Sequence, residues 1–236
     1  MAPVARGLAD SFRVIEPFQS ADSNTVAAHI ADLHDVVSSH CAGMRVALVG
    51  HSWGAMLALA YAAAHPQAVG PIVLVASGTF DLASRARYEA NMNARMDAGL
   101  RARFARLPDE FPDPNDRLAA LGRLTLQLYS CDLARDESEA EPGDKSAGAD
   151  TWNDMVRLQN EGVYPASFAA VKTPILMLHG DSDPHPGPET RDCLRAYLPQ
   201  LEYIELERCG HYPWLEKSQL YDFFPLLKSW LARNQQ

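Results

Sequence analysis

Short apolar runs alternate along this chain with segments in which apolar residues recur every three or four positions. The runs predict buried strands at residues 46–49, 72–76, 174–178 and 203–206. Residues 25–39 carry Val26, Ile30, Leu33 and Val37 on one helical face, and residues 223–232 predict a closing helix. Strands that alternate with helices in this way indicate an α/β fold with a mostly parallel sheet.

A long segment with little strand pattern separates the second predicted strand from the third. It contains helical stretches at residues 82–106, 118–129 and 152–159, with predicted breaks at Pro108, Pro112 and Pro114. The acidic stretch 136–150 predicts an exposed loop. We therefore expect residues 1–80 and 171–236 to form an α/β core, and residues 81–170 to form a helical insertion.

Five residues, Gly50-His51-Ser52-Trp53-Gly54, lie directly between the first of these strands and the apolar run 55–60. A Gly-x-Ser-x-Gly turn between a buried strand and a helix is typical of a nucleophile elbow. The turn pushes the serine hydroxyl clear of the sheet and close to a helix N-terminus, where developing negative charge is favoured. The pattern therefore predicts that Ser52 is a catalytic nucleophile.

Acidic and histidine residues follow the last two predicted strands. Asp181 and Asp183 come after strand 174–178, and His211 comes after strand 203–206. The carboxyl ends of parallel strands meet at one edge of the sheet, so these side chains are expected to lie near Ser52. Serine, acid and histidine in this chain order predict a Ser-His-Asp triad.

In these three motifs the chain resembles a serine-dependent α/β-hydrolase of the proline-iminopeptidase and small-esterase type, over about residues 12–230. The resemblance implies that Ser52 is the nucleophile, His211 the general base and Asp183 the acid that orients it. It also implies that an acyl-enzyme forms, that the backbone N–H of Trp53 is one oxyanion donor, and that residues 81–170 form a cap. No metal or cofactor is expected.

Other residues near these motifs have alternative interpretations. Asp181 and Asp81 are alternative acids, although Asp81 also fits the N-cap of a helix. His51 is expected to pack beside the elbow, and His185, in a loop rich in proline and glycine, to lie at the surface. The cap residues Met92, Met96, Phe104, Leu124 and Leu128 either line a substrate pocket or pack the core of the cap itself.

The N-terminal segment lacks a motif that the resemblance leads us to expect. The family's second oxyanion donor follows its third strand and is marked by His-Gly, which does not occur before Gly50. Residues 12–16 resemble the family's fourth strand and are predicted to pair with residues 44–49. We expect the missing strands to belong to a preceding segment; a natural short form, or a strand supplied by a partner, is the alternative.

Composition excludes several other classes of protein. The chain has 236 residues, 47% of them hydrophobic, a net charge of −9 and four cysteines without a C-x-x-C pair. The charge disfavours nucleic acid or an anionic membrane as partner, and the cysteines suggest neither a disulfide framework nor a zinc site. With no signal-peptide pattern or apolar stretch of membrane-spanning length, we expect a cytoplasmic protein; homo-oligomerisation is left open.

The expected substrate is a small ester, amide or short peptide. Proline iminopeptidases often carry Trp directly after the serine, so the resemblance at Trp53 favours an aminopeptidase that removes N-terminal residues. It also implies an acidic group in the cap that holds the substrate's ammonium group, for which Glu161 is a candidate. Simple ester hydrolysis fits the same residues. The alternative function is a catalytically impaired hydrolase-like module that acts in binding, because one oxyanion donor is missing.

Overall fold

A computed structural model describes residues 1–20, 22–41, 43–134 and 145–235, without the side chains of residues 145–148. In chain order the elements are α1 (Ala2–Leu8), α2 (Val26–His40), β1 (Val46–His51), α3 (Trp53–Ala64), β2 (Val69–Val75), α4 (Leu82–Arg95), α5 (Ala98–Glu110), α6 (Pro114–Tyr129), α7 (Lys145–Asn160), β3 (Ile175–Gly180), α8 (Gly187–Arg195), β4 (Leu201–Leu206) and α9 (Phe223–Asn234). Short 3-10 turns lie at Ala166–Ala170, Pro213–Leu215 and Lys217–Gln219.

The four strands form one parallel sheet in the order β1-β2-β3-β4. All four were predicted from their apolar runs, and the α/β fold class is confirmed. Every strand ends at the same edge of the sheet. The turns after β1, β3 and β4, which carry the candidate catalytic residues, therefore lie along one edge.

Helices cover both faces of the sheet, and the alternation of side chains along each strand decides which layer each residue joins. Ile72 and Leu74 of β2 pack with residues of α2, α3 and α8. Val73 and Val75 point the other way, into a cluster with α1 and α9 that contains the buried Trp230. Because both faces are buried, the central strands read as continuous apolar runs, as expected for a parallel sheet.

The helix predicted over residues 25–39 is confirmed as α2. Thr25 is the N-cap of α2, and its side-chain hydroxyl accepts a hydrogen bond from the N–H of Ala28 at 3.2 Å. Val26 and Val37 are buried in the core, and Ile30 and Leu33 pack against it. The spacing of apolar residues thus identified the buried face correctly.

The segment between β2 and β3 is helical, as predicted, but three details differ. The stretch 82–106 forms two helices, α4 and α5, separated at Met96 and Asp97. Pro108 lies inside α5 and does not break it, since the helix continues for only two further residues and little backbone hydrogen bonding is lost. The stretch 136–150 was expected to be a loop; residues 145–150 instead begin α7, and residues 136–144 lie outside the described residues. α5 and α6 pack through a cluster of their own, with Leu107, Ala120 and Leu124 buried.

The prediction of a strand over residues 12–16 is wrong. These residues have no regular structure and do not pair with β1, whose backbone is paired only with β2 within the described chain. Phe12 and Val14 instead pack as side chains against the cluster that includes Ala47 and Val49. Apolar and polar residues alternate in this segment, and that alternation fits side-chain packing on the sheet as well as it fits a strand. The sequence pattern therefore predicted a strand where none is present.

β1 consequently lies at an edge of the sheet beside a large cleft. The cleft has a volume of about 1220 Å³ and runs from the segment 12–19 along β1 to Ser52. The apolar residues of β1 are only partly buried, whereas those of β2 and β3 are fully buried. None of the described helices is long and apolar enough to cross a membrane.

Candidate active site

The turn that follows β1 holds Ser52 in an uncommon backbone conformation. Its φ of 53° and ψ of −117° lie in a region that L-residues rarely adopt. The N–H of Ser52 donates to the carbonyl oxygen of Val75 at 3.0 Å, which ties the turn to β2. A positive φ at a serine between strand and helix is the geometry of a nucleophile elbow.

Glycine is required at one of the two flanking positions. A Cβ on Gly50 would overlap the backbone carbonyl oxygen of Gly54, so the strand and the helix can approach each other only without a side chain there. Nothing lies within 4 Å of a Cβ added to Gly54. A steric requirement for glycine therefore exists at Gly50 and not at Gly54.

The loops after β3 and β4 bring Asp183 and His211 into direct contact. Nδ1 of His211 donates to Oδ2 of Asp183 at 2.7 Å, and both side chains are almost fully buried. An imidazole that donates from Nδ1 keeps its proton there, so Nε2 is left as the basic nitrogen. This is the arrangement that a general base needs.

The other two candidate acids have different partners. Asp181 accepts hydrogen bonds from the N–H groups of Arg208 at 3.0 Å and Cys209 at 3.2 Å, and so fixes the loop after β4. Asp81 is the N-cap of α4 and accepts from the N–H of Ser84 at 2.8 Å. Each carboxylate is thus engaged in shaping the backbone, and neither bonds His211.

Three further histidines surround this pair. His51 donates from Nε2 to the carbonyl oxygen of His211 at 2.8 Å, and its ring packs on that of His211 beside the elbow, as expected. His179 donates to the carbonyl oxygen of His185 at 3.0 Å and lies 3.4 Å from Asp183. Together these contacts fix the loops that carry Asp183 and His211.

The interpretation of His185 as a surface residue is wrong. Its side chain is only 12% exposed, and its Nδ1 donates to Oδ1 of Asp183 at 3.1 Å. The ring is stacked between His211, at a centroid distance of 4.8 Å, and Tyr88, at 4.3 Å. The Asp183 carboxylate therefore accepts from two imidazoles, one on each oxygen. The only sequence signal was its position two residues after the acid.

Burial and hydrogen bonding shift the pKa values of these groups in opposite directions. Burial lowers the pKa of His51, His179 and His185, because an imidazolium ion loses hydration in the interior. Burial acting alone would raise the pKa of Asp183, but the surrounding His211, His179 and His185 outweigh it and hold that pKa below its usual range. Asp183 is therefore ionised at neutral pH.

We expect the free energy of unfolding to fall as the pH falls below about 6.5. His51, His179 and His185 have lowered native pKa values, so in the window between these and about 6.5 the unfolded chain binds more protons. Each contributes a slope of up to about 1.4 kcal/mol per pH unit. The stabilisation that ionised Asp183 contributes is lost only below about pH 4, where the carboxylate of the unfolded chain begins to bind protons. Urea denaturation at about pH 7.5, 6.5 and 5.5 measures the slope; constant stability over that interval would contradict the assignment of neutral buried histidines.

Ser52 and His211 line a common cavity of about 430 Å³ at the sheet edge. The other lining residues come from α4, α6, α7 and the loops after β3 and β4: Arg85, Tyr88, Glu89, Thr125, Tyr129, Trp152, His185 and Tyr212. Among the described residues, Ser52 and His211 are not hydrogen-bonded to each other, whereas His211 and Asp183 are. Ser52 also borders the larger cleft along β1.

The apolar residues considered for a substrate pocket lie elsewhere. Phe104 and Leu124 belong to the cluster between α5 and α6, and none of the five residues lines the cavity that contains Ser52. Glu161, the candidate for holding an ammonium group, is paired with Arg157 at 2.6 Å on the surface. The walls of the cavity are instead aromatic and polar.

A buried carboxylate joins the helical insertion to the loop that carries His211. Glu216 is fully buried and accepts hydrogen bonds from the N–H groups of Cys131 at 2.8 Å, Asp132 at 2.7 Å and Gly210 at 3.0 Å. The N–H of His211 also donates to the carbonyl oxygen of Tyr129, at the end of α6, at 2.9 Å. We refer to these contacts as the Glu216 clip.

One group of side chains has the composition of a metal site. The ligand atoms of Asp183, His185 and His211 lie within 4.8 Å of one another. Both imidazoles, however, already donate from Nδ1 to the carboxylate. A cation placed among them would have to replace both hydrogen bonds, so the observed geometry favours an acid that supports two histidines.

A family model described as alpha/beta hydrolase fold matches residues 5–218. No curated protein matches the sequence.

Several solved structures are similar to this one. A thermophilic esterase from Thermogutta terrifontis with malate bound has a TM-score of 0.60 at 18% identity, over 99% of this chain and 86% of that chain. A putative aryl esterase from Burkholderia cenocepacia has a TM-score of 0.58 at 16% identity, over 93% and 75%. A serine hydrolase involved in carbazole degradation has a TM-score of 0.54 at 18% identity, over 94% and 76%. At these identities the likeness concerns the fold.

Proposed function

The chain belongs to the alpha/beta hydrolase fold family, and we propose that it is a serine hydrolase that cleaves an ester or amide bond. Ser52 attacks the substrate carbonyl while Nε2 of His211 takes its proton. The tetrahedral intermediate then collapses: the bond from the carbonyl carbon to the leaving oxygen or nitrogen breaks, and His211 gives the proton to the departing alcohol or amine. The resulting acyl-enzyme is then hydrolysed by water, which His211 activates in the same way. Residues 81–170 act as a cap over this site.

The observation that carries this proposal is the hydrogen bond of 2.7 Å between His211 and Asp183 beside the Ser52 turn. A buried, ionised carboxylate on Nδ1 orients the imidazole and stabilises the cation that forms when Nε2 accepts the proton. Ser52 lies in the same cavity as that imidazole. Ser52 and His211 must close to hydrogen-bond distance when substrate binds, because catalytic contacts are often long in the absence of substrate.

The N-terminus of α3 is the part of the site that can stabilise the oxyanion. Trp53 is the first residue of that helix, and the first N–H groups of a helix have no partner within it. The N–H of Trp53 is the proposed donor to the tetrahedral intermediate, and the helix dipole favours negative charge at the same place.

Ester hydrolysis is favoured over removal of N-terminal residues. An aminopeptidase needs a carboxylate to hold the substrate's ammonium group, and Glu161 is occupied by Arg157 outside the cavity. Glu89 is the acidic residue that does line the cavity, and it is largely exposed. The alternative of a catalytically impaired module gains no specific support from the site.

The proposal is tested by incubating the folded chain with a fluorophosphonate and measuring its intact mass. We expect a single adduct that peptide mapping places on Ser52, because only an activated serine reacts rapidly with such a probe. Chain unfolded in urea serves as the control and should not be labelled. If the folded chain gives no adduct, the proposed catalytic function is wrong and the binding module becomes the better interpretation.

A further inference from the structure

Arg85 lines the cavity that contains Ser52 and His211, and no acidic side chain in the described part of the chain pairs with it. It lies in the first turn of α4, on the wall of that cavity. Its Nη2 donates to Oε1 of Gln159, and its Nε is buried with no hydrogen-bond partner. Among the described residues the guanidinium thus has one neutral acceptor and no carboxylate.

A neighbouring arginine of the same helix shows the contrast. Arg87 points outward, is 62% exposed and pairs with Glu189 at 3.6 Å. Arginine is almost never buried without a counter-charge, because an incompletely bonded cation loses more hydration than it regains. Arg85 is partly buried, and its Nε is buried without a partner. That N–H is costly unless another group accepts a hydrogen bond from it.

Gln159 holds the guanidinium in place from α7. Its Nε2 donates to the carbonyl oxygen of Thr79 at 3.0 Å, so its Oε1 is directed at Arg85. A side-chain amide fixed at one end orients the planar fork and leaves its other N–H groups available. This is preorganisation of a donor within the cavity.

We propose that Arg85 binds a carboxylate group of the substrate, so that the enzyme prefers esters of dicarboxylic acids. This deepens the proposed function and rests on it. Guanidinium and carboxylate match in geometry and charge. The cavity has this one arginine and the acidic Glu89 at its rim, so it suits a single negative charge better than a phosphate dianion.

The remaining walls fit the rest of such a substrate. Tyr88 and Tyr129 are hydrogen-bonded to each other through their hydroxyl groups, and burial raises the pKa of both, so they remain neutral. With Trp152 they offer aromatic surface for a short methylene chain. A cavity of about 430 Å³ accommodates a short acyl chain between Ser52 and Arg85.

The test compares pairs of p-nitrophenyl esters that differ only in a terminal carboxylate or methyl group. The pairs are hemisuccinate with butyrate, hemiglutarate with pentanoate, and hemiadipate with hexanoate, each corrected for spontaneous hydrolysis. We expect kcat/KM to favour the anionic member of at least one pair. Arg85→Gln is expected to reduce that preference by about 10–100-fold, mainly through KM. Arg85→Lys, which keeps the charge, should restore part of it.

The control is Arg87→Gln, which removes an equal charge from the outer face of α4 and should leave the preference unchanged. Two results would overturn the proposal. In the first, kcat/KM of the parent chain is no higher for the anionic ester in any pair. In the second, Arg85→Gln lowers kcat/KM equally for the anionic and the neutral ester of a pair. Fluorophosphonate labelling of Ser52 in the same preparations separates this outcome from failure of the proposed hydrolase function. Labelling without any preference leaves the hydrolase standing and removes the role of Arg85.

Discussion

Replacing Ser52 by alanine is expected to lower kcat for ester hydrolysis by about 10⁴–10⁶-fold and to abolish the fluorophosphonate adduct. The hydroxyl is the proposed nucleophile, and without it neither His211 nor the oxyanion donor has a covalent step to assist. Alanine keeps the Cβ that serine already has at a φ of 53°, so the substitution adds no backbone strain. The free energy of unfolding should therefore change little.

The measurement is hydrolysis of a p-nitrophenyl ester, with Ser182→Ala as the matched control. Ser182 also lies at the carboxyl end of a strand, but its hydroxyl donates to Asp181 at 2.9 Å, away from His211. That variant should retain the parent rate and the adduct. If Ser52→Ala keeps more than about one hundredth of the activity, a different nucleophile is at work.

Asp183→Asn is expected to lower kcat/KM by about 10⁴-fold while the chain stays folded. An amide NH2 facing Nδ1 of His211 forces the proton onto Nε2, so the imidazole cannot act as a base towards Ser52. The same change removes the negative charge that would stabilise the imidazolium ion. Circular dichroism establishes folding, and the pH dependence of kcat/KM reports the altered histidine.

Asp181→Asn is the control for this variant. Its carboxylate accepts two backbone N–H groups of the loop after β4, so its loss is expected to cost about 1–2 kcal/mol of stability and little activity. The two acids are only two residues apart in the chain, and the substitutions are chemically identical. If Asp181→Asn lost the activity and Asp183→Asn kept it, the assignment of the acid would be reversed.

Much of this molecule was predictable because its core is a parallel sheet. β2 and β3 are buried on both faces, so their sequences are unbroken apolar runs, and α2 shows the helical spacing of apolar residues together with a threonine cap. The turns that follow the strands could be aligned at one edge from chain order alone. On that basis Asp181, Asp183 and His211 were expected near Ser52, and the resemblance to the family then favoured Asp183 as the partner of His211.

What could not be predicted depends on contacts between distant parts of the chain. Residues 12–16 alternate like a strand, but whether they bond β1 or merely cover it is decided by backbone placement that no local pattern contains. His185 was predicted to lie at the surface, because its partners Tyr88 and His211 come from α4 and from the loop after β4 and leave no local pattern around it. The environment of Arg85 likewise depends on Gln159, which is 74 residues away in sequence.

The Glu216 clip has a consequence for how substrate enters. The end of α6 and the loop that carries His211 share hydrogen bonds to one buried carboxylate, so lifting the insertion away as a rigid lid would carry the general base with it. In the proposed mechanism, such an opening would also move His211 away from Ser52. Water that reached Ser52 in that open form would then find no base in position, so the proposed hydrolysis would require the insertion to be closed.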